Sequence, residues 1–189
     1  MILHGLWLLG PWTRGRGDLG KQEQGVRILI VDDHPQWRGT LRRLLDDNPH
    51  FHVIGDANDG IEAIQKVTRL HPDVVLLDIG LPRLNGFDVA KQIRQLAPLT
   101  DVIFVTLNSS EAFVREALRI GTCGYVLKTE ASRDLRPAVE AVLQKTAFAS
   151  SGIQQRASGE GQTSETVYET IVDRDVSAPS SADSKSLAR

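Results

Sequence analysis

The stretch Asp73-Val-Val-Leu-Leu-Asp-Ile-Gly-Leu-Pro82 holds four consecutive apolar residues, then a carboxylate, then a turn marked by Gly and Pro. Residues 74–77 show no polar alternation, which is the pattern of a strand covered on both faces, as in a parallel sheet between helices. The same form recurs at 28–31, 52–54, 102–105 and 125–127. After each run the apolar residues move to helical spacing. Trp37, Leu41, Leu44 and Leu45 make one stripe, Ile61, Ile64, Val67 and Leu70 a second, and Val89, Ile93 and Leu96 a third. Phe113, Ala117, Leu118 and Ile120 follow, then Leu135, Val139, Val142 and Leu143, where Pro137 is expected to break the helix unless it lies in the first turn. Five strands alternating with five helices predict an α/β fold: a doubly wound, five-stranded parallel sheet in the flavodoxin-like order 2-1-3-4-5. Ligands of such sheets sit at the carboxyl ends of the strands.

Those ends carry an unusual set of side chains. The first run ends in Asp32-Asp33, the third in Asp78, the fourth in Thr106 and the fifth in Lys128. Strands 1, 3, 4 and 5 are consecutive neighbours in that order, and neighbours lie ~4.8 Å apart, so these five side chains border one crevice. Each alone has a structural explanation. Asp33 before His34-Pro35 suits a helix N-cap, Asp78 suits the following turn, and a terminal Thr or Lys is ordinary. Together they are costly, because two like charges ~4 Å apart repel by about 4 kcal/mol at an effective dielectric near 20. A proton, a cationic side chain or a metal ion is required. A hard divalent cation answers best, and Mg²⁺ takes carboxylate oxygens, waters and phosphate. His50 and His52 offer no third partner for a softer metal. Thr106 can donate to a phosphoryl oxygen, Lys128 can neutralise it, and Asp78 can act as nucleophile to form an aspartyl phosphate.

Composition narrows the alternatives. The chain has 189 residues, 41% hydrophobic and 24% charged, with a net charge of -2. At ~150 residues per domain this allows one domain with extensions or two small ones. No basic excess supports a polyanion-binding protein, and the 5% aromatic content argues against base-stacking platforms. One cysteine excludes an internal disulfide framework and a Cys-rich zinc site, and fits a reducing compartment. The domains expected are a disordered extension over 1–24, the α/β domain over 25–147, and a disordered Ser/Gly/Ala-rich tail over 148–189. Residues 1–10 are apolar but have no positive residue ahead of them and fall short of the ~20 residues of a membrane span. No membrane association is expected, and the location expected is cytoplasmic.

The combined motifs resemble the receiver domain of two-component response regulators, the CheY-like superfamily. The matching strings are Ile28-Leu-Ile-Val-Asp-Asp-His-Pro35, Asp73 to Pro82 with Asn85-Gly86, Phe104-Val-Thr106 and Gly124-Tyr-Val-Leu-Lys-Thr129. The first and last are most similar to receivers of NarL-type regulators. The resemblance implies that Asp78 is the phospho-acceptor, served by a histidine kinase or a histidine phosphotransfer protein. It implies that Asp33 ligates Mg²⁺ directly, Asp32 through water, and Gly80 through its backbone carbonyl. Thr106 and Lys128 match the pair that contacts the phosphoryl group. Tyr125 matches the switch aromatic that follows Thr106. The output is then a change of contact with an unidentified downstream protein, with homodimerisation on phosphorylation compatible, and the chain is not an enzyme beyond its own phosphotransfer and dephosphorylation.

Two departures stand out. Leu107 follows Thr106 where many receivers carry a small residue, so it is expected to shield the acyl phosphate. Nothing after Ala147 shows the two helical stripes of a helix-turn-helix domain, so no DNA binding is expected from this chain. A truncated NarL-type regulator acting as a phosphate relay or sink is the alternative within signalling. An aspartate-nucleophile phosphohydrolase is disfavoured, because in haloacid-dehalogenase-like enzymes the nucleophile ends strand 1 in an Asp-x-Asp pattern, whereas here the pair is adjacent and the lone Asp78 ends strand 3. A flavodoxin-type binding module lacks its Gly-rich loop after strand 1.

Overall fold

The computed structural model describes residues 25–122 and 124–153. The expectations for 1–24 and for the tail beyond Ile153 lie outside the described residues. The elements are β1 (Val26–Val31), α1 (Pro35–Asp46), β2 (Phe51–Ala57), α2 (Gly60–Leu70), β3 (Val74–Leu77), α3 (Gly86–Leu96), β4 (Asp101–Thr106), α4 (Glu111–Ile120), β5 (Gly124–Leu127), α5 (Ala131–Leu143) and β6 (Phe148–Ala149). A 3-10 turn, Lys128–Glu130, leads into α5. The sheet order is β2-β1-β3-β4-β5-β6, every pair parallel.

Successive side chains of a strand point to opposite faces, so each apolar run supplies two cores at once. Leu29, Val31, Val75, Leu77 and Phe104 pack with Val67, Val89, Ile93 and Val114 on the side of α2, α3 and α4. Ile28, Ile30, Val74, Leu76, Ile103 and Val105 pack with Leu41, Leu45, Leu135 and Val139 on the side of α1 and α5. This double burial is why those strands lack polar alternation. Gly86 is demanded by packing: a Cβ there would lie 2.2 Å from the backbone oxygen of Asp78. At the end of α4, Gly121 takes φ +83, the left-handed conformation that glycine adopts freely.

The sheet differs from expectation in three places. It has a sixth strand: β6 pairs Phe148 with Gly124 and Ala149 with Tyr125. Beyond it, Ser150 and Ile153 are buried, so the folded unit continues past Ala147. β2 runs from Phe51 to Ala57 rather than over 52–54, because pairing with β1 carries the weak strand formers Gly55 and Asp56 across a register shift between Ile28 and Leu29. Pro137 sits inside α5 rather than in its first turn. It and Arg133, whose carbonyl it cannot serve, both lie on the exposed face of the helix.

Candidate functional site

Register brings the strand ends together. Val31 pairs with Leu77, Leu77 with Phe104, and Thr106 with Leu127, so the residues that follow leave the sheet on one edge. Asp32, Asp78, Thr106 and Lys128 are all buried there. The Lys128 Nζ lies 2.7 Å from Asp32 Oδ2 and 3.2 Å from Asp78 Oδ2, one ammonium between two carboxylates. It also stands 5.4 Å from the centroid of the Trp37 ring on α1, within cation–π range. The other Asp78 oxygen, Oδ1, accepts a 2.9 Å hydrogen bond from the Ile79 N–H. Burial pushes the Asp78 carboxyl above its usual range; Lys128 opposes that rise, and the Asp32 charge adds to it.

Asp33 is not the N-cap of α1. That position belongs to His34, which makes no side-chain cap bond, while Asp32 Oδ1 accepts from the His34 N–H at 2.9 Å. This side-chain turn aims the buried carboxylate into the pocket and leaves Asp33 beside it, half-buried, with its Oδ1 2.6 Å from His34 Nδ1. Thr106 and Tyr125 meet through one residue, Asn108. Thr106 Oγ1 accepts from the Asn108 N–H at 3.3 Å, and the Tyr125 hydroxyl donates to the Asn108 carbonyl at 2.8 Å. The Tyr125 ring is buried, and burial together with the Asp78 charge holds its hydroxyl well above the usual phenol range. Gly80 is exposed on the loop after Asp78; a Cβ at Gly80 would stand 3.6 Å from Asp78 Oδ2, an ordinary contact, so sterics alone do not demand glycine there.

The donor set suits a hard divalent cation. Asp32 Oδ2 is buried with the Lys128 ammonium 2.7 Å away, and Asp33 beside it is half-buried with its carboxylate open to the pocket mouth. Asp32, Asp33 and His34 each offer a ligand atom, all within 4.8 Å of one another, and Asp78 supplies a further carboxylate across Lys128. Three residues of this pocket were not singled out by sequence. Trp37 reads as one more member of an apolar stripe. Asn108 carries only the local signal of an Asn two residues after a Thr in a loop. His34 reads as a spacer before Pro35, though its place after two aspartates was the available signal.

The chain matches the family model of the response regulator receiver domain over residues 28–140. It is 34% identical over 126 residues to the transcriptional regulatory protein DegU of Brevibacillus brevis, covering 67% of this chain and 53% of that protein. A protein-glutamate methylesterase/protein-glutamine glutaminase of Thermotoga maritima is 40% identical over 112 residues, covering 58% of this chain and 32% of that enzyme. Among solved structures, the receiver domain of the putative response regulator NarL from Mycobacterium tuberculosis superposes with a TM-score of 0.57 at 32% identity, covering 65% of this chain and 96% of that one. The chain thus spans between about a third and about half the length of these curated relatives.

Proposed function

This chain belongs to the response regulator receiver family, and from that premise we propose that Asp78 accepts a phosphoryl group from a histidine kinase or a histidine phosphotransfer protein. The carrying observation is the buried Asp78 carboxylate with the Lys128 ammonium 3.2 Å away. In the transfer, an Asp78 oxygen forms the new bond to phosphorus, and the bond to the donor histidine nitrogen breaks, that nitrogen keeping the electron pair. Burial alone would favour a protonated, unreactive carboxyl, and the role of Lys128 is to offset that by favouring the ionised form. The same ammonium then faces the transferred phosphoryl oxygens. Asp32, Asp33, Asp78 and the Gly80 carbonyl would hold Mg²⁺, which when bound supplies positive charge against the phosphoryl oxygens.

Thr106 is the hydroxyl that donates to a phosphoryl oxygen, and turning toward Asp78 takes it away from the Asn108 N–H. Because Asn108 also receives the Tyr125 hydroxyl, the two contacts of residue 108 are released together, and the 106–111 loop repacks. The altered face is that of α4, β5 and α5, presented to a protein partner. This chain matches 53% of DegU and 32% of the Thermotoga methylesterase, and the output proposed for the described residues is protein contact rather than DNA binding. No described helix is long and apolar enough to cross a membrane, and we place the protein in the cytoplasm with its kinase.

The test uses the full chain, Mg²⁺ and a small phosphodonor, followed by intact mass. Wild type is expected to gain one phosphoryl group and Asp78→Asn none. A gain that survives the substitution would remove Asp78 from its role, and no gain in wild type with either a small donor or a kinase would remove the phospho-acceptor reading altogether.

A further inference from the structure

The loop from Ile79 to Asn85 carries Gly80 and turns back on itself at Arg83. Its base is closed by the Gly86 N–H, which donates to the Ile79 carbonyl at 2.9 Å. Ile79 and Leu81 are buried, and Gly80 between them is exposed. At the tip the Leu84 N–H donates to the Pro82 carbonyl at 2.8 Å across Arg83, whose φ is 65°. That is a γ-turn of the left-handed sense, a rare and strained form that suits glycine and not a long side chain. Such a conformation persists where its surroundings over-determine it. Here the surroundings are the start of α2. Arg83 Nη2 donates to Asp59 Oδ2 at 2.5 Å, while Asp59 Oδ1 caps α2 by accepting from the Ile61 and Glu62 N–H groups, each at 2.9 Å. The Asp59 carboxylate is buried and fixed by its cap bonds, so Arg83 has a rigid partner. Beside it, a Cβ on Gly60 would collide with the Leu84 carbonyl oxygen, so the backbone of the turn rests directly on the helix start.

We propose that the Arg83–Asp59 ion pair is a latch that holds this strained turn and, with it, the Gly80 carbonyl, which makes Arg83 a positioning residue of the acceptor pocket. The inference rests on the phospho-acceptor reading, in which Gly80 offers that carbonyl to Mg²⁺. Arg83 acts through the backbone of the turn and not by contact with the reacting atoms. With the latch open, the tip can relax its φ toward the ordinary region, and the relaxation moves backbone only three residues from Gly80. A closed base and a held tip leave Gly80, which has no side chain to anchor, little freedom between them; a released tip gives that freedom back. This matters for binding because Mg²⁺ demands near-ideal octahedral geometry, and a ligand that must first be ordered subtracts its ordering cost from affinity.

The experiment titrates the full chain with MgCl₂ by calorimetry, with thermal melting and amide exchange recorded on the same proteins. Asp59→Ser keeps an N-cap oxygen for α2 and deletes the oxygen that faces Arg83. Arg83→Gly deletes the guanidinium and places glycine, which tolerates it, at φ 65°. Each is expected to lower Mg²⁺ affinity about two- to fivefold, the range for an ion pair with one exposed partner, and to speed amide exchange over 79–86. Arg83→Lys keeps the charge and should restore most of the affinity. Charge alone predicts opposite signs, since loss of a nearby cation strengthens Mg²⁺ binding and loss of an anion weakens it. A purely structural role predicts that affinity follows melting temperature, whereas Arg83→Gly should melt no lower than wild type and still bind Mg²⁺ less well. The double variant should lose no more than either single one. Unchanged affinity in Arg83→Gly, changes of opposite sign in the two single variants, or losses that add in the double variant overturn the latch. Wild type judges the reading beneath it: Mg²⁺ binding and phosphoryl uptake there, with indifferent variants, refute the latch alone, and a wild type that takes up neither refutes both.

Discussion

Replacing Lys128 by methionine keeps the length and apolar stem of the side chain and deletes its charge. At an effective dielectric near 20, contacts of 2.7 Å to Asp32 and 3.2 Å to Asp78 correspond to attractions of about 6 and about 5 kcal/mol. The cost of burying the ammonium offsets much of that sum. What remains on deletion is the cost of leaving buried carboxylates without their counter-ion, about 3–5 kcal/mol when one partner of a buried pair is removed. The pH dependence gives the sharper test. Asp78 already has its carboxyl raised above the ordinary 3.8 by burial, with Lys128 holding it down, so the substitution raises it further. A folded-state pKa above the unfolded one means that the folded protein binds a proton the unfolded chain has released. Stability contributed by that proton is complete below the unfolded value and is lost as pH rises through the folded one. Lys128→Met is therefore expected to be least impaired near pH 4–5 and most impaired near pH 8. Urea unfolding followed by far-UV circular dichroism at both pH values measures this. Adding Asp32→Asn should recover a large part of the loss, because one of the two uncompensated charges is then gone. A deficit under about 1 kcal/mol at pH 8, or one that does not vary with pH, would refute the shared counter-ion argument.

Four further outcomes follow from the same geometry. Tyr125→Phe removes the 2.8 Å bond to the Asn108 carbonyl and should cost about 1 kcal/mol, with faster amide exchange confined to the 106–111 loop; exchange unchanged in that loop would remove Tyr125 as its anchor. Gly86→Ala forces a Cβ to within 2.2 Å of the Asp78 backbone oxygen, so thermal melting should show destabilisation of roughly 1–3 kcal/mol and phosphorylation should slow with it. A chain ending at Ala147 should melt below one ending at Ile153, since buried Ile153 alone contributes about 1.5–3 kcal/mol; equal melting temperatures would return the domain boundary to 147. Leu107 is 64% exposed beside the acceptor pocket, and Leu107→Ala should shorten the lifetime of the acyl phosphate if its side chain shields it; a lifetime no shorter than wild type removes that role.

The sequence made the strand ends readable because the signal there is local. A four-residue apolar run followed by a carboxylate, as at 74–78, declares both the strand and the point where it leaves the sheet. Once the order of the strands is known, the meeting of Asp32, Asp78 and Lys128 is a consequence of register. What was not readable depends on contacts distant in the chain. Phe148 and Ala149 make no apolar run; they are a strand because β5 offers an unpaired edge, and Ser150 fixes them by donating its N–H to the Tyr125 carbonyl and taking the Leu127 N–H on its hydroxyl. Propensity reads Pro137 as a break outside the first turn, and cannot show that the helix keeps it on its exposed face. Asn108 matters only because Tyr125, seventeen residues on, points back at it.

The pocket as it stands is unevenly balanced for the proposed switch. Lys128 is bonded more closely to Asp32 than to Asp78, so before transfer its charge is divided unevenly, with the acceptor as the weaker partner. An acyl phosphate on Asp78, as proposed, would carry about -1.5 to -2 charges in place of the single carboxylate charge, with three strong acceptor oxygens on that side alone. On the proposed reading the balance of attraction would then move toward Asp78, and the ammonium and Thr106 with it. Such a shift would lengthen the 2.7 Å ion pair with Asp32, while the 5.4 Å contact with the Trp37 ring is non-directional. The bonds that must yield are those at Asn108, on the loop that precedes α4. The proposed rearrangement would therefore fall on the side of the pocket that faces α4, since Asp32 is tied through Oδ1 to the turn that starts α1.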